Sequence, residues 1–576
     1  MTDSRIMRES AQMSPELAET TRLRAALHHL SEVVVPIDLG LDPSRRAAAG
    51  ELRQDIVWSI NEYAIARLGD LDAPVVAVLI GSTGAGKSTL MNSLAGTRVS
   101  APGAVRPTTR HPVVWCHQRN IDRYEAGFLT GYGPDAAREL DIVAMLDPML
   151  EGLTLIDAPD IDSVEEVHRD IAEELLAAAD LCVFVTSAQR YADSVPWQIL
   201  KAAARRNLPL LFVLNRVPPG AEDELVPDFS RRLRSAGVMN EADSILIVAE
   251  QPVENDWGGL PPPAVSELRT RLTNSGSGNR RATAEQAVRG AVGSLLQKAG
   301  MLSDLVDDEN QELAKLEEVT RLAYASQAAE IESALREGTL IRSEVVARWQ
   351  NFIGTGELTK ALADGATRLR GWATRVFGGV GEKSERVGFE AEHELVALVT
   401  RRADLAANAV AGAWELHEGT ALHVRNANLW RHAPETPERV QQVVEDWIAG
   451  LSRMIEETGL GRKRWAQIAS VGVNAVAVSL MVTVFAYTSG ITGTEVGIAA
   501  GAAAAQQKLL EHLFGSAAAK GLADEARKDL IDSITGVLEA DAQRFLGFLE
   551  GLRTSGRFEL DDVAASVDRA LRAWHV

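Results

Sequence analysis

Apolar residues follow two kinds of pattern along this chain, and the change between them divides it. Residues 1–70 carry helical spacing. Ser14-Pro15-Glu16 reads as a cap followed by proline at the first helical position. Leu52, Ile56, Ile60 and Tyr63 recur at intervals of three and four in a second helix predicted over 44–67. At Pro74 the texture changes. Short apolar runs at 75–80, 113–115, 153–156, 181–185, 210–214 and 245–248 alternate with helical patterns, as expected of parallel strands buried on both faces. A doubly wound, mostly parallel α/β domain is therefore predicted over 71–272. The run Thr273-Asn274-Ser275-Gly276-Ser277-Gly278-Asn279 predicts a linker at 273–281.

Beyond it, strand signals nearly vanish. Leu313, Leu316, Val319 and Ala323 repeat at helical spacing, as do Ile331 and Leu335, with acidic residues such as Asp307, Asp308, Glu309, Glu317 and Glu318 between them. Long bundled helices are predicted over 282–464 and again over 508–576. The segment 465–507 differs. Arg462-Lys463-Arg464 precedes an uncharged stretch at 465–494, whose core at 468–487 has the length of a bilayer span. The basic residues are what a cytoplasmic flank carries. Three readings stand: a membrane-inserted helix, a helix buried in the bundle, and a loop. After Glu495, residues 496–505 include Gly497-Ile498-Ala499-Ala500-Gly501, a small-xxx-small pattern that permits close helix packing. The two segments together read as a hairpin or a re-entrant paddle. At 368–377, Leu369, Trp372 and Val376 share a helical face beside Arg368, Arg370 and Arg375. Such a helix suits either an anionic lipid surface or a bundle groove.

Composition narrows the picture. A chain of 576 residues is long enough for several domains. With 46% hydrophobic and 24% charged residues, long disorder is not the default. A net charge of −21 argues against wholesale nucleic-acid binding, which needs a basic footprint. Cys116 and Cys182 lie in apolar runs and read as buried, reduced thiols, without the numbers for a disulfide framework or metal cluster. The first residues have no apolar core, so no secretory signal is expected, and a reducing cytoplasm fits.

The chemistry concentrates at Gly81-Ser82-Thr83-Gly84-Ala85-Gly86-Lys87-Ser88, a complete GxxxxGK[ST] motif between a predicted strand and the helical run opened by Thr89. Glycines let the backbone wrap phosphates with N–H groups inward, and the following helix turns its positive end to the same anion. Lys87 is placed to reach the β- and γ-phosphates, and the Ser88 hydroxyl to ligate magnesium. Asp157 ends the strand in Leu155-Ile156-Asp157-Ala158-Pro159-Asp160 and supplies a second magnesium contact. In Arg106-Pro107-Thr108-Thr109-Arg110 a threonine hydroxyl, Thr109 in preference to Thr108, would complete the metal shell; an ordinary polar loop is the alternative. Asn215 and Arg216, in Leu214-Asn215-Arg216-Val217-Pro218, end a later strand. Asn215 can bridge the phosphate loop and a base pocket, Arg216 can lay its stem on the base, and Glu250 is expected to line the same pocket.

GSTGAGKST, RPTT, the DAP segment and the strand-ending NRVP together resemble the dynamin-like GTPases of bacteria, especially an actinobacterial branch. The Thr-Thr-Arg-His run also resembles the switch of Era-type GTPases. The motif resemblance covers 74–250; outside it the likeness is one of layout. It implies a P-loop GTPase domain, with the outer helices folded back as neck and stalk and an apolar tip that holds membrane. It further implies GTP as substrate, magnesium as cofactor, Lys87 and Thr109 as catalytic groups, membrane lipid as a partner on the cytoplasmic side of the cell membrane, and self-association or pairing with a related dynamin-like protein. No nucleic-acid partner is expected. Three positions depart from the pattern. Gly84 stands where dynamins usually carry a serine, Asp160 where GTPases carry a glycine, and Pro218 where the guanine-specifying Asp of [NT]KxD belongs. A P-loop ATPase on the same scaffold and a non-hydrolysing, nucleotide-switched membrane scaffold are the alternatives these departures leave open. A ribosome-associated GTPase is a weaker third, and an ABC-type ATPase is set aside for want of an LSGGQ-like signature.

Overall fold

The computed structural model describes residues 15–100, 111–125, 140–159, 166–191, 194–239, 244–252, 257, 259–337, 381–457, 468, 473–486, 499–553 and 557–574. The chain forms two compact units. One comprises Met1–Asp38, Arg45–Asp307 and Thr554–Val576; the other comprises Leu39–Ser44 and Asp308–Arg553.

The first unit is built on a seven-stranded sheet. Its strands are β1 (Val75–Ile80), β2 (Val113–His117), β3 (Asp141–Met145), β4 (Leu153–Asp157), β5 (Leu181–Ser187), β6 (Leu210–Val217) and β7 (Ile245–Ala249). Their order is β3-β2-β4-β1-β5-β6-β7. All pairings are parallel except β2 with β4. The sheet therefore grows to one side of β1 through β2–β4 and to the other through β5–β7, and a loop leaving β1 emerges where the order reverses, the usual ligand crevice of open α/β sheets. β1, β4 and β5 are buried along their whole length, which explains why their sequences read as unbroken apolar runs. β3 is the element the sequence reading missed. It lies at the sheet edge, and its residues are half-buried or exposed, so it lacks the continuous apolar signal of the inner strands.

The outer helices of this unit are α1 (Pro15–Val34), α2 (Pro43–Trp58) and α3 (Ile65–Gly69), the last two joined through a π-helical segment at Ser59–Ala64. A buried polar cluster ties this stretch to the sheet. Asp180, just before β5 and 1% exposed, accepts from Tyr63 Oη at 2.9 Å and from the backbone N–H of Val76 at 2.9 Å. Arg67 Nη2 lies 3.0 Å from the same carboxylate, as an ion pair without hydrogen-bond alignment. Arg67 donates instead to the carbonyls of Asp70 and Ala73. The Arg206 guanidinium stacks 4.5 Å over the Tyr63 ring. Burial first, then the Asp180 charge, push the Tyr63 phenol well above its ordinary value, so it remains a donor.

After the sheet come α9 (Ser266–Ser277) and the 58-residue α10 (Arg280–Glu337); the intervening helices are α4 (Lys87–Ala95), α5 (Ile121–Glu125), α6 (Glu166–Ala177), α7 (Ser194–Arg205) and α8 (Glu222–Ser235). The linker expected at 273–281 is thus largely helix. Thr273, Ser275 and Ser277 each donate their hydroxyl to the carbonyl four residues back, so the polar side chains that suggested a loop are satisfied within the helix. Gly276 and Gly152, at the foot of β4, allow a close backbone approach: a Cβ on Gly152 would lie 2.0 Å from the Gly276 carbonyl oxygen, and one on Gly276 2.9 Å from that of Gly152. Up to Asp307, α10 buries Ala284, Ala287, Val288, Ala291, Val292, Leu295, Ala299, Leu302 and Val306, one stripe at helical spacing. Helix α17 (Arg557–Ala573) packs on α1 in the same unit. Trp574 donates to Thr20 Oγ1 at 3.1 Å and lies under the Arg289 guanidinium.

The second unit is helical: the remainder of α10, then α11 (Gly381–Trp414), α12 (Glu418–Asn426), α13 (Thr436–Glu456), α14 (Val473–Ala486), α15 (Ala499–Phe514) and α16 (Ser516–Leu552). One apolar core runs through it, including Leu316, Trp414, Trp447, Leu480, Leu513, Leu530 and Phe545. A buried carboxylate fixes the helices in register. Asp541 accepts from Tyr324 Oη at 2.5 Å, Thr436 Oγ1 at 2.9 Å and the Ala433 N–H at 2.6 Å.

Of the segment read as a membrane tip, the described stretch Val473–Ala486 packs in the helical core. Within 468–487 the structure describes Ile468 and α14 (Val473–Ala486). Its Val476, Ala477, Leu480, Met481 and Val484 are buried in the helical core, as are Ser479 and Thr483. Among the described residues no helix is long and apolar enough to cross a membrane. The described buried side chains of α14 pack in the helical core, and an uncharged, Val- and Ala-rich sequence serves a core-facing helix as well as a lipid-facing one. The stretch at 368–377 lies outside the described residues.

Candidate functional site

The carboxyl ends of β1, β4, β5 and β6 gather the candidate residues. β1 ends at Ile80, and the chain then turns through Gly81–Gly86 into α4. Gly84 and Gly86 take φ of 75° and 98°, the left-handed region that glycine adopts without cost. Space selects glycine independently. A Cβ on Gly81 would lie 2.0 Å from the Val185 carbonyl oxygen of β5, and one on Gly86 would lie 2.3 Å from Asn215 Nδ2. The turn is thus clasped between two neighbouring strands, which fixes its shape before any ligand arrives.

Lys87 opens α4 and is 4% exposed, with Nζ 2.9 Å from the Gly81 carbonyl oxygen. The lysine folds back over its own turn, a cation held out of water at a helix N-terminus, which is an anion-receiving arrangement. Ser88 Oγ donates to Asp157 Oδ2 at 2.6 Å. Asp157 is fully buried at the end of β4, opposite Leu79 in the parallel register. Hydroxyl and carboxylate oxygens brought together are the hard donor set magnesium selects. Because that ion is usually held by one or two protein oxygens plus substrate phosphates, no closed cage is required. Among the described residues no cluster of three or more His, Cys, Asp or Glu side chains forms a metal cage.

Asn215 lies near the end of β6, is 3% exposed, and donates its amide to the Ala85 carbonyl at 2.9 Å. It therefore bridges to the phosphate turn. The β6–β7 register shifts between Asn215 and Val217, so Arg216 is the extra residue of a bulge, with φ of 55° and an exposed side chain. Bulges re-aim side chains next to binding sites. Pro218 follows, exposed, with no side-chain acceptor. Glu250 is exposed at the end of β7 and donates its N–H to the Val217 carbonyl. Ser82 and Ala85 are buried in the turn, and Thr83 and Thr89 lie in the turn and first helical turn. Thr109 and Asp160 lie outside the described residues.

Two residues escaped sequence reasoning. Ser100, 1% exposed, donates its hydroxyl to Asp157 Oδ2 at 2.7 Å. Asn92, fully buried on α4, accepts the N–H groups of Val99 and Ser100 at 2.8 Å each and donates to the Ser100 carbonyl at 2.9 Å. A signal for Asn92 was present: an amide at an inward position of an otherwise apolar helix face demands partners.

Residues 76–216 match the family described as 50S ribosome-binding GTPase. This segment is a GTPase domain. The match spans β1 to Arg216, so it includes the phosphate turn, Asp157 and Asn215 and stops short of the helical unit. A stretch of the chain is similar to a probable transmembrane GTPase, FZO-like, chloroplastic, of Arabidopsis thaliana. It is 28% identical over 146 residues, which is 25% of this chain and 15% of that relative. The similarity therefore concerns a small part of that protein. Among solved structures, the chain is similar to one from an oligomerised bacterial dynamin pair, described as providing a mechanism for long-range sensing and tethering of membranes. Identity is 10%, coverage 96% of this chain and 94% of that one, and the TM-score 0.45. LeoA, a bacterial dynamin GTPase from ETEC, gives 13% identity, coverage of 97% and 95%, and a TM-score of 0.24.

Proposed function

We propose that the chain is a membrane-associated, dynamin-like GTPase that binds and hydrolyses GTP with magnesium and couples this to membrane binding or remodelling. The observation that carries the reading is the phosphate turn itself. A strand–loop–helix in a segment matching a GTPase family holds Lys87 over Gly81 and sets Ser88 2.6 Å from Asp157.

In this reading the turn's N–H groups and Lys87 hold the β- and γ-phosphates, and Ser88 and Asp157, with Thr109, hold magnesium. The bound ion supplies charge neutralisation for phosphoryl transfer to water. Lys87 and the backbone donors add fixed positive potential where negative charge builds. Asn215 holds the turn against β6, and Arg216 lays its stem along the base. The domain division proposed for function is 71–272 for the GTPase domain, 1–70, 282–464 and 508–576 for neck and stalk, and 465–507 for the neighbourhood of lipid contact, with Val476, Ala477, Leu480, Met481 and Val484 of that segment held in the helical core. The relative's printed description as a transmembrane GTPase supports lipid association, and the basic Arg462-Lys463-Arg464 beside an apolar stretch supports the cytoplasmic side of the cell membrane. They do so without a crossing helix among the described residues. Self-association, or pairing with a related dynamin-like protein, completes the proposal.

Turnover by the purified chain, with GTP and ATP compared in the presence and absence of anionic phospholipid vesicles, tests all of this. GTP is expected to bind better than ATP by a factor on the order of ten to a hundred. That is well short of the roughly 10⁴–10⁵ reached by sites built to hydrogen-bond their substrate, because Pro218 offers the base no acceptor. Equal or stronger ATP binding transfers the site to an ATPase. The protein is also expected to co-sediment with the anionic vesicles and to turn GTP over faster on them. Failure to sediment under any nucleotide removes the membrane half of the proposal, and binding without turnover leaves a nucleotide-switched scaffold.

A further inference from the structure

We propose that Ser100 is a positioning residue for the magnesium site, acting through Asp157 and itself held in place by Asn92. The inference rests on the reading that Asp157 and Ser88 face magnesium. Asp157 Oδ2 accepts from two hydroxyls, Ser88 Oγ at 2.6 Å and Ser100 Oγ at 2.7 Å. Both distances are those of charge-assisted O–H···O⁻ bonds. The two donors differ in role. Ser88 sits on the helix that opens at the phosphate turn and has its own place on the metal. Ser100 lies beyond the end of α4, and its hydroxyl meets the carboxylate from another direction of the chain.

Ser100 is not placed by chance packing. The Asn92 side chain uses its carbonyl oxygen to accept two successive N–H groups, those of Val99 and Ser100, and its amide to donate to the Ser100 carbonyl. Three bonds from one fully buried amide fix both the N–H and the C=O of Ser100. The hydroxyl is thereby left to Asp157. The order of support runs from α4 through Asn92 to Ser100 and then to the carboxylate. A metal-associated carboxylate needs such support: outer-shell partners set the orientation of the group that meets the metal, and their loss typically costs about 10- to 100-fold in metal affinity.

A magnesium titration of fluorescent GDP binding, with a parallel measurement in EDTA, tests the role. In Ser100→Ala the magnesium concentration for half-maximal binding is expected to rise about tenfold, while affinity in EDTA stays at the wild-type value. Ser100→Thr restores the hydroxyl and is expected to return the midpoint to near wild type. Ser100→Cys keeps the volume with a weak donor and is expected to fold, as checked by thermal melting, with the midpoint still raised; it decides the matter where the alanine variant does not fold. A wild-type midpoint in the Cys and Ala variants overturns the proposal, as does an equal loss with and without magnesium, which would mark a purely structural residue. A wild-type protein whose GDP binding ignores magnesium overturns the underlying metal reading as well, and is told apart by needing no mutant.

Discussion

Lys87→Ala is expected to lower triphosphate affinity by about a hundredfold. Hydrogen bonds to charged groups contribute up to about 3 kcal/mol, and each 1.4 kcal/mol is a factor of about ten. Lys87 is the one cationic side chain held within the phosphate turn, 4% exposed over the Gly81 carbonyl. Alanine is well tolerated in helices, so the fold is expected to survive at the first residue of α4. Titration with a fluorescent GTP analogue in saturating magnesium measures the effect. An affinity within threefold of wild type would sink the phosphate-site assignment, provided the melting curve is unchanged.

The second large effect concerns stability. Asp180→Ala is expected to cost about 3–5 kcal/mol, the range for removing one partner of a buried ion pair. The substitution strands the Arg67 guanidinium, itself 6% exposed, and leaves the Tyr63 hydroxyl and the Val76 N–H without their acceptor. Asp180→Asn keeps an acceptor without the charge and is expected to recover part of the loss. Because the chain has two compact units, a single unfolding free energy is not defined. The transition to follow is the one that nucleotide shifts upward, since ligand stabilises only the unit that binds it. A change below 1 kcal/mol in that transition would show that the cluster contributes little.

What the sequence revealed and concealed follows from burial. β1, β4 and β5 were legible because both faces of each are covered, and the phosphate turn was legible because its glycines answer to backbone geometry and to a neighbouring strand. β3 was not, since an edge strand carries no unbroken apolar run. Thr273, Ser275 and Ser277 misled because their hydroxyls return to their own helix, a choice composition does not encode. The stretch at 473–486 misled more deeply. Lipid and a helical core impose the same demand for uncharged side chains, and only the neighbours of Leu480 and Val484 decide between them. Asp180 and Ser100 were invisible for the opposite reason: each takes its meaning from partners far along the chain, Tyr63 and Val76 for one and Asp157 for the other.

The cysteines have a practical consequence. The chain has only Cys116 and Cys182; both are buried within strands, and burial pushes the Cys182 thiol up to about 12. A thiolate is the species that reacts with maleimides, so the wild-type protein presents a chemically silent background. One cysteine introduced at an exposed position, such as Leu416 in the helical unit or Leu146 beside β3, would then carry a dye alone. Distance measurements between the two units by energy transfer become possible with pairs of such sites, without first stripping either native thiol from the sheet.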